Sequence, residues 1–231
     1  MEEIKSSAVR ITAVSKIYTS GSRSCTVLGS IDYASRSNTL DLFLGPSGSG
    51  KTTFLAVSAG LLKPDRGSVE LFGNDIGTLS RKELQQLRAK RLSFIFQNFL
   101  LISSMSLFSN ILLAAGIAGV KQPREKVLAA MEELRIEQLQ KLYPEEVSHG
   151  EKQRAVIARA LVTGADLIFA DEPTAALDRS QAESVMKILK GLTEQHNCSV
   201  LVASHDPVLK DYADRSYNIS EGRLTACAKN G

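Results

Sequence analysis

With 43% hydrophobic and 23% charged residues, the 231-residue chain has the make-up of a folded globular protein, which excludes wholesale disorder and allows one α/β domain with a modest insertion. A formal charge of +3 and the lack of tryptophan leave no strongly basic, aromatic-studded stripe, so nucleic acid is not an expected partner. Cys25, Cys198 and Cys227 are widely spaced without a C-x-x-C pair, which argues against zinc or redox work and fits a reducing compartment.

The N-terminal 16 residues alternate charged and apolar side chains and lack the apolar core of a secretory signal, so no export is expected. Three β-rich segments follow, 8–14, 27–33 and 39–44, the last running into glycines. A helix is expected over 51–60, a strand over 68–72 closed by a Gly73-Asn74-Asp75 turn, a helix over 80–90 and a strand over 92–96. From 92 to 120 there is no charged residue. Gln97, Asn98, Ser103, Ser104, Ser106, Ser109 and Asn110 interrupt that stretch, and its unbroken apolar part, 111–120, falls far short of the ~20 residues of a spanning helix. An uncharged surface that meets a membrane protein is one reading of it; the packed interior of a helical subdomain is the other.

The pattern over 107–162 is helical, with Pro123 at a helix start and Val127, Leu128, Met131 and Leu134 on one face, as in an inserted helical subdomain. Two continuous apolar runs, 167–170 and 200–203, flank a helix over 180–196, and such runs suit strands buried on both faces of a parallel sheet. The expected fold is therefore α/β, with a parallel-sheet core, an antiparallel β part at the N-terminus and a helical insertion.

Four predicted strands end in polar groups: Leu44 gives way to Gly45, Phe96 to Gln97, Ala170 to Asp171 and Glu172, Ala203 to Ser204 and His205. Ligands of open parallel sheets bind outside the carboxyl ends of the strands, so these groups are expected to converge on one site. The first is Gly45-Pro46-Ser47-Gly48-Ser49-Gly50-Lys51-Thr52, a full phosphate-binding P-loop between a strand and a helix, with Thr53 beside it. Its glycines let N–H groups curl around a β-phosphate, Lys51 reaches the β and γ oxygens, and the Thr52 hydroxyl suits Mg²⁺. An accidental glycine turn of this form arises in about one chain in a hundred of this size.

Two acids after a strand, as at Asp171 and Glu172, are by themselves more often a helix start with a favourable dipole. Behind a P-loop the balance reverses: Asp171 suits the shell of a phosphate-bound Mg²⁺, and Glu172 suits the base for an attacking water. Ser148-His149-Gly150-Glu151 opens an amphipathic helix over 152–162 and carries two readings, a capping box and a second anion site at a helix N-terminus.

In this order the motifs resemble the ATP-binding-cassette ATPases over nearly the whole chain. Tyr18 matches the aromatic that stacks on adenine, Gly45 to Thr52 the Walker A loop, and Gln97 the Q-loop. Val147 to Gln153 matches the signature, 167–172 the Walker B strand, Ala176-Leu177-Asp178 the D-loop, and His205 the switch histidine. The finer likeness is to the single-cassette subunits of lipoprotein-release and macrolide-export systems, with the bacterial cell-division cassette as the alternative. The resemblance implies a P-loop NTPase fold in which 1–97 and 156–231 form the nucleotide-binding core and 98–155 the helical subdomain. It also implies an ATPase using ATP and Mg²⁺, with Glu172, His205 and Gln97 at the chemistry and Thr52, Gln97 and Asp171 at the metal. The implied assembly is a homodimer, or a heterodimer of cassettes, in which ATP on one subunit's P-loop is closed over by Ser148 and Gly150 of the other, with Glu151 and Asp178 also among the nucleotide-binding positions. An integral membrane permease would be the partner, and the cytoplasmic face of the inner membrane the place.

Two positions depart from that pattern. Asn38-Thr39 stands where Gly-Glu is usual, and His149 where the signature has glycine, which leaves three outcomes: a side chain facing phosphate, one turned away, or a backbone held too far out. Rival readings fit less well, since a P-loop kinase or GTPase has no reason to carry the 148–153 motif and His205 at this spacing. Non-transport cassettes carry two cassettes or a long heptad insert. Arg81, Lys82, Arg88, Lys90 and Arg91 read as a solvated helix face or a lipid-headgroup contact.

Overall fold

The computed structural model describes residues 7–21 and 23–228. The first half contains β1 (Val9–Ser20), β2 (Arg23–Ala34), β3 (Leu40–Leu44), α1 (Lys51–Ser58), β4 (Arg66–Leu71), β5 (Asn74–Asp75), α2 (Arg81–Arg91) and β6 (Leu92–Ile95). Then come α3 (Leu107–Ile117), α4 (Pro123–Glu133), α5 (His149–Val162), β7 (Leu167–Asp171), α6 (Arg179–Gln195), β8 (Ser199–Ser204), β9 (Arg215–Ser220) and β10 (Arg223–Ala226). One sheet has the antiparallel order β2-β1-β4-β5, and the other the order β10-β9-β3-β8-β7-β6, parallel except for its β10 edge. This is the α/β architecture expected from the sequence.

Side chains alternate across a strand, and the central strands use both faces. Leu40, Leu42 and Leu44 of β3, with Ile168 and Ala170 of β7, face a core shared with α3, α4, α5 and α6. Phe43, Phe169 and Leu201 point the other way, into a core closed by α1 and the antiparallel sheet. That double burial is why these strands read as continuous apolar runs. Asp41 breaks the run in β3 and is fully buried. It accepts from Tyr33 Oη at 2.5 Å, from Arg215 Nε at 3.0 Å and from Arg215 Nη2. The two sheets are thus joined by a buried, fully partnered anion, which burial costs otherwise forbid.

Four local expectations are revised. The first strand runs on to Ser20, and the second begins at Arg23, because the two pair through to Ser20↔Arg23. Asn74 and Asp75 pair with Leu71 and Glu70 instead of forming only a turn. The helical stretch 107–162 is cut into three helices at Gln122 and Arg135, whose φ values of 50° and 56° cannot continue a helix. The third of these helices starts at His149, not 152, since Ser148 caps it. β9 and β10 lacked a sequence signal because β9 fully buries one side chain, Ile219, and β10 none, so neither writes an apolar alternation. Of the basic residues on α2, Arg88 donates to Gly60 O at 2.8 Å, and Arg91 pairs with Asp166 while covering the Phe72 ring at 3.5 Å. These two bind the helix to the body of the protein. Among the described residues no helix is long and apolar enough to cross a membrane.

Candidate functional site

The loop between β3 and α1 curls back on itself at Gly48 and Gly50, whose φ values of 77° and 102° favour glycine. Gly45 is required for a different reason: a Cβ there would sit 2.4 Å from Ile219 O and 2.5 Å from Ser49 Oγ. No side chain caps α1 and no acid lies in its first turn, so the helix presents bare N–H groups to the loop. Lys51 is buried, donating from Nζ to Gly45 O at 2.8 Å and Pro46 O at 3.0 Å. Its ammonium also stands 3.3 Å from Glu172 Oε1.

Glu172 follows β7 with φ of 49°, and its amide donates to Ala203 O at 2.9 Å across the sheet. The second carboxylate oxygen lies 2.9 Å from His205 Nδ1, beyond the end of β8. Asp171, one residue earlier, is pushed above its ordinary carboxyl value by burial, against the lowering effect of a hydrogen bond from Thr52. Its Oδ1 is buried without a hydrogen-bond partner, as is Ser49 Oγ. A cavity of about 700 Å³ gathers Pro46, Ser47, Gly48, Gly50, Lys51, Thr52 and Thr53 with Gln97, Glu172 and His205. Val27 and Ala175 also line it; apolar side chains in this role leave no mark in sequence. Tyr18 stands at the rim, half exposed, its Oη 3.4 Å from Thr53 Oγ1.

The remaining candidates do not join them. Ser148, Gly150 and Glu151 line a separate cavity of about 390 Å³ with Arg135, Arg154 and Gln181. The capping box forms as expected: the Ser148 hydroxyl and amide donate to Glu151 Oε2 at 2.7 and 2.8 Å, and the Glu151 amide donates back at 3.4 Å. Those bonds, the hydroxyl's first, hold Glu151 below its ordinary value. Asp178 caps α6 by accepting from the Gln181 amide at 2.9 Å, the main cause of its own lowered value.

Gln97 begins a loop pinned by two residues whose roles were not legible beforehand. Arg159 of α5 donates to Leu100 O at 2.8 Å and Phe99 O at 3.2 Å. The buried Asn110 amide bonds the Ile102 backbone in both senses, accepting at 2.7 Å and donating at 3.1 Å, and donates to Met105 O and Ser106 O. Leu100 and Ile102 on this loop, and Leu113 and Ile117 on α3, remain exposed. His149 rests against the Phe99 ring, and the first turn behind it is regular, with the Lys152 amide bonded to Ser148 O at 2.9 Å.

The family model described as ABC transporter matches residues 29–175. The bacitracin export ATP-binding protein BceA of Halalkalibacterium halodurans is 38% identical over 86% of this chain and 79% of its own length. The lipoprotein-releasing system ATP-binding protein LolD of Treponema denticola is 31% identical over 94% of this chain and 96% of its own. The macrolide export ATP-binding/permease protein MacB of Hahella chejuensis is 34% identical over 96% of this chain, which spans only 34% of that relative. Among solved structures, the dimeric ATP-binding cassette MJ0796, in a post-hydrolysis state bound to ADP and Pi, superposes with a TM-score of 0.89 at 29% identity, over 96% of this chain and 99% of that one. This chain belongs to the ABC transporter family, as an ATP-binding cassette that hydrolyses ATP.

Proposed function

We propose that the protein powers a membrane permease by closing, with a second cassette, over two ATP molecules, in a system of the lipoprotein-release or macrolide-export type. The observation that carries this is the separation of the two cavities. Pro46, Ser47, Gly48, Gly50 to Thr53, Gln97, Glu172 and His205 line one, whereas Ser148, Gly150 and Glu151 line the other. A chain that brings its anion-binding helix start to none of its own P-loop residues needs another chain to complete the site. Relatives named for export and lipoprotein release, and a dimeric ADP-bound cassette, support the same reading.

In that site the loop amides and Lys51 bind and orient the phosphates, and Tyr18 supports the base. Glu172, held on one side by Lys51 and on the other by His205, takes the proton of the attacking water once phosphate has drawn Lys51 away. The residues fit Mg²⁺: the Thr52 hydroxyl bonds the Asp171 carboxylate, whose Oδ1 is buried without a partner, and Thr52 shares the P-loop cavity with Gln97. When bound, the ion would neutralise charge on the transferred phosphoryl group. Among the described residues no cluster of three His, Cys, Asp or Glu side chains forms, which fits an ion held largely by phosphate oxygens.

Residues 1–97 and 156–231 are the nucleotide-binding core in this reading, and 98–155 the helical subdomain, with α5 running unbroken across the boundary. Leu100, Ile102, Leu113 and Ile117 offer the permease an apolar seat, which supports reading the protein as a peripheral subunit, on the cytoplasmic face of the membrane in this proposal. Detergent extraction of the protein from native membranes, followed by mass identification of what co-purifies, tests the reading. An integral membrane protein is the expected companion; recovery of the cassette without one, under conditions that preserve membrane complexes, argues against it.

A further inference from the structure

His149 is the first residue of α5, next to the Ser148 cap, at the position where the signature of the resembling family has glycine. Its ring centroid lies 5.8 Å from that of Phe99, with the planes tilted by 54°. This is within the separation at which aromatic pairs attract. Among the described residues the His149 side chain makes no hydrogen bond or ion pair, so the contact is one of ring faces and edges.

Phe99 lies two residues beyond Gln97. The loop there is strained, with φ of 60° at Phe99 and 49° at Leu100, and such conformations persist only when their surroundings over-determine them. Two of the restraints come from one helix: Arg159 holds the Phe99 and Leu100 carbonyls, and His149, ten residues earlier on α5, meets the Phe99 ring. A glycine at 149 would leave the Arg159 bonds, the Asn110 bonds to Ile102 and the packing of Phe99 on the core, but would take away the ring partner at the start of α5.

We propose that His149 is a positioning residue that ties the Gln97 loop of one ATP site to the Ser148 end of α5, which serves the other, so that the two shift as a unit. The inference rests on the two-chain site proposed above. A ring contact of this kind is restored by phenylalanine and lost with glycine, whereas a charge at 149 plays no part in it.

Two measurements test it. The first needs no dimer. The Phe99 and Leu100 amides are hydrogen-bonded to Phe96 O and Asn98 O, so their hydrogen exchange reports the order of the loop. In the nucleotide-free protein, His149→Gly should speed exchange over 99–101 by about 3- to 10-fold, the factor an aromatic pair is worth. His149→Phe should match the parent, and Phe99→Leu combined with His149→Gly should loosen the loop no more than either change alone. Unchanged exchange in His149→Gly, a His149→Phe as loose as glycine, or additive effects would overturn the proposal.

The second measurement is ATP-driven dimerisation in a Glu172→Gln background, with ATP binding to the monomer as control. His149→Gly should weaken dimerisation by about 3- to 10-fold at unchanged ATP binding, with His149→Phe restoring it. Equal dimerisation of the glycine variant and its parent overturns the coupling. Failure of Glu172→Gln itself to dimerise falls instead on the two-chain site.

Discussion

The Glu172 carboxylate stands 3.3 Å from the Lys51 ammonium, a pair in which both side chains are largely buried. The residue that should accept a proton and the cation that should meet the phosphate therefore neutralise each other before nucleotide arrives, and binding must separate them. Lys51 cannot be replaced by solvent in this position, since its remaining donors are spent on Gly45 O and Pro46 O. Lys51→Ala is accordingly expected to abolish ATP binding, measured by titration with a fluorescent ATP analogue. Near-normal affinity in that variant would remove the basis for the P-loop assignment.

Glu172→Gln keeps the shape and removes the base. ATP binding should survive, turnover should fall by ~10²-fold or more, and the ATP-bound dimer should accumulate. Light scattering during size exclusion at saturating ATP gives the mass directly. A monomer under those conditions, or turnover at the parent rate, contradicts both the role of the base and the two-chain site.

The central strands and the polar residues at their carboxyl ends were legible because double burial writes an apolar run and a parallel sheet brings its ends together. Pro46, Ser47, Gly48, Gly50, Lys51 and Thr52 of the P-loop meet Gln97, Glu172 and His205 in one cavity for that reason. The Ser148 motif was legible only as two alternatives, since a capping box and an anion site use the same residues; both its cap and its distance from the P-loop needed coordinates. Asp41 was hidden inside a run that reads as apolar, and its partners Tyr33 and Arg215 lie 8 and 174 residues away. Arg159 looked like one more charge on an amphipathic helix. Its carbonyl partners lie 59 and 60 residues earlier, and nothing local in the sequence links such positions.

Gln97 borders the catalytic cavity, and the loop it opens carries the exposed Leu100 and Ile102. Gln97→Ala should therefore hydrolyse ATP weakly by itself and, once the permease is identified and reconstituted, lose the stimulation that the permease gives the parent. Phosphate release with and without the permease provides both numbers. Equal stimulation of the variant and the parent would show that this loop is not the coupling surface.

Ser148 has two roles that one substitution can confuse. Ser148→Ala removes the cap of α5, which costs about 0.5–2 kcal/mol, and it also removes the hydroxyl that the proposed two-chain site would offer to the other subunit's nucleotide. Aspartate caps as well as serine but brings a negative charge toward phosphate. Ser148→Asp should thus melt near the parent temperature and yet fail to dimerise on ATP. If it dimerises as the parent does, Ser148 is a cap and nothing more.

Asp171 yields the prediction with the sharpest pH signature. Burial raises its folded value above the ordinary carboxyl value, with the Glu172 charge adding to the rise and the Thr52 hydroxyl and Lys51 opposing it. The stabilising form in the nucleotide-free protein is therefore the protonated one: its contribution is complete below the unfolded value near ~4 and is lost as pH climbs through the raised folded value. Asparagine is neutral throughout and escapes that loss. Melting temperatures of Asp171→Asn and parent should thus nearly coincide at about pH 4, and the variant should become the more stable of the two as pH rises, reaching a constant margin once Asp171 is ionised. Titration of carboxylates that do not touch Asp171 is common to both proteins and cancels in the difference. Adding Mg²⁺ and ATP at neutral pH should invert the order, because the unpartnered Oδ1 of Asp171 then faces a cation, while the variant gains less and no longer hydrolyses. A margin that does not change with pH would remove the buried-carboxylate account. Stabilisation of the two proteins by Mg²⁺ and ATP to the same degree would remove Asp171 from the metal site.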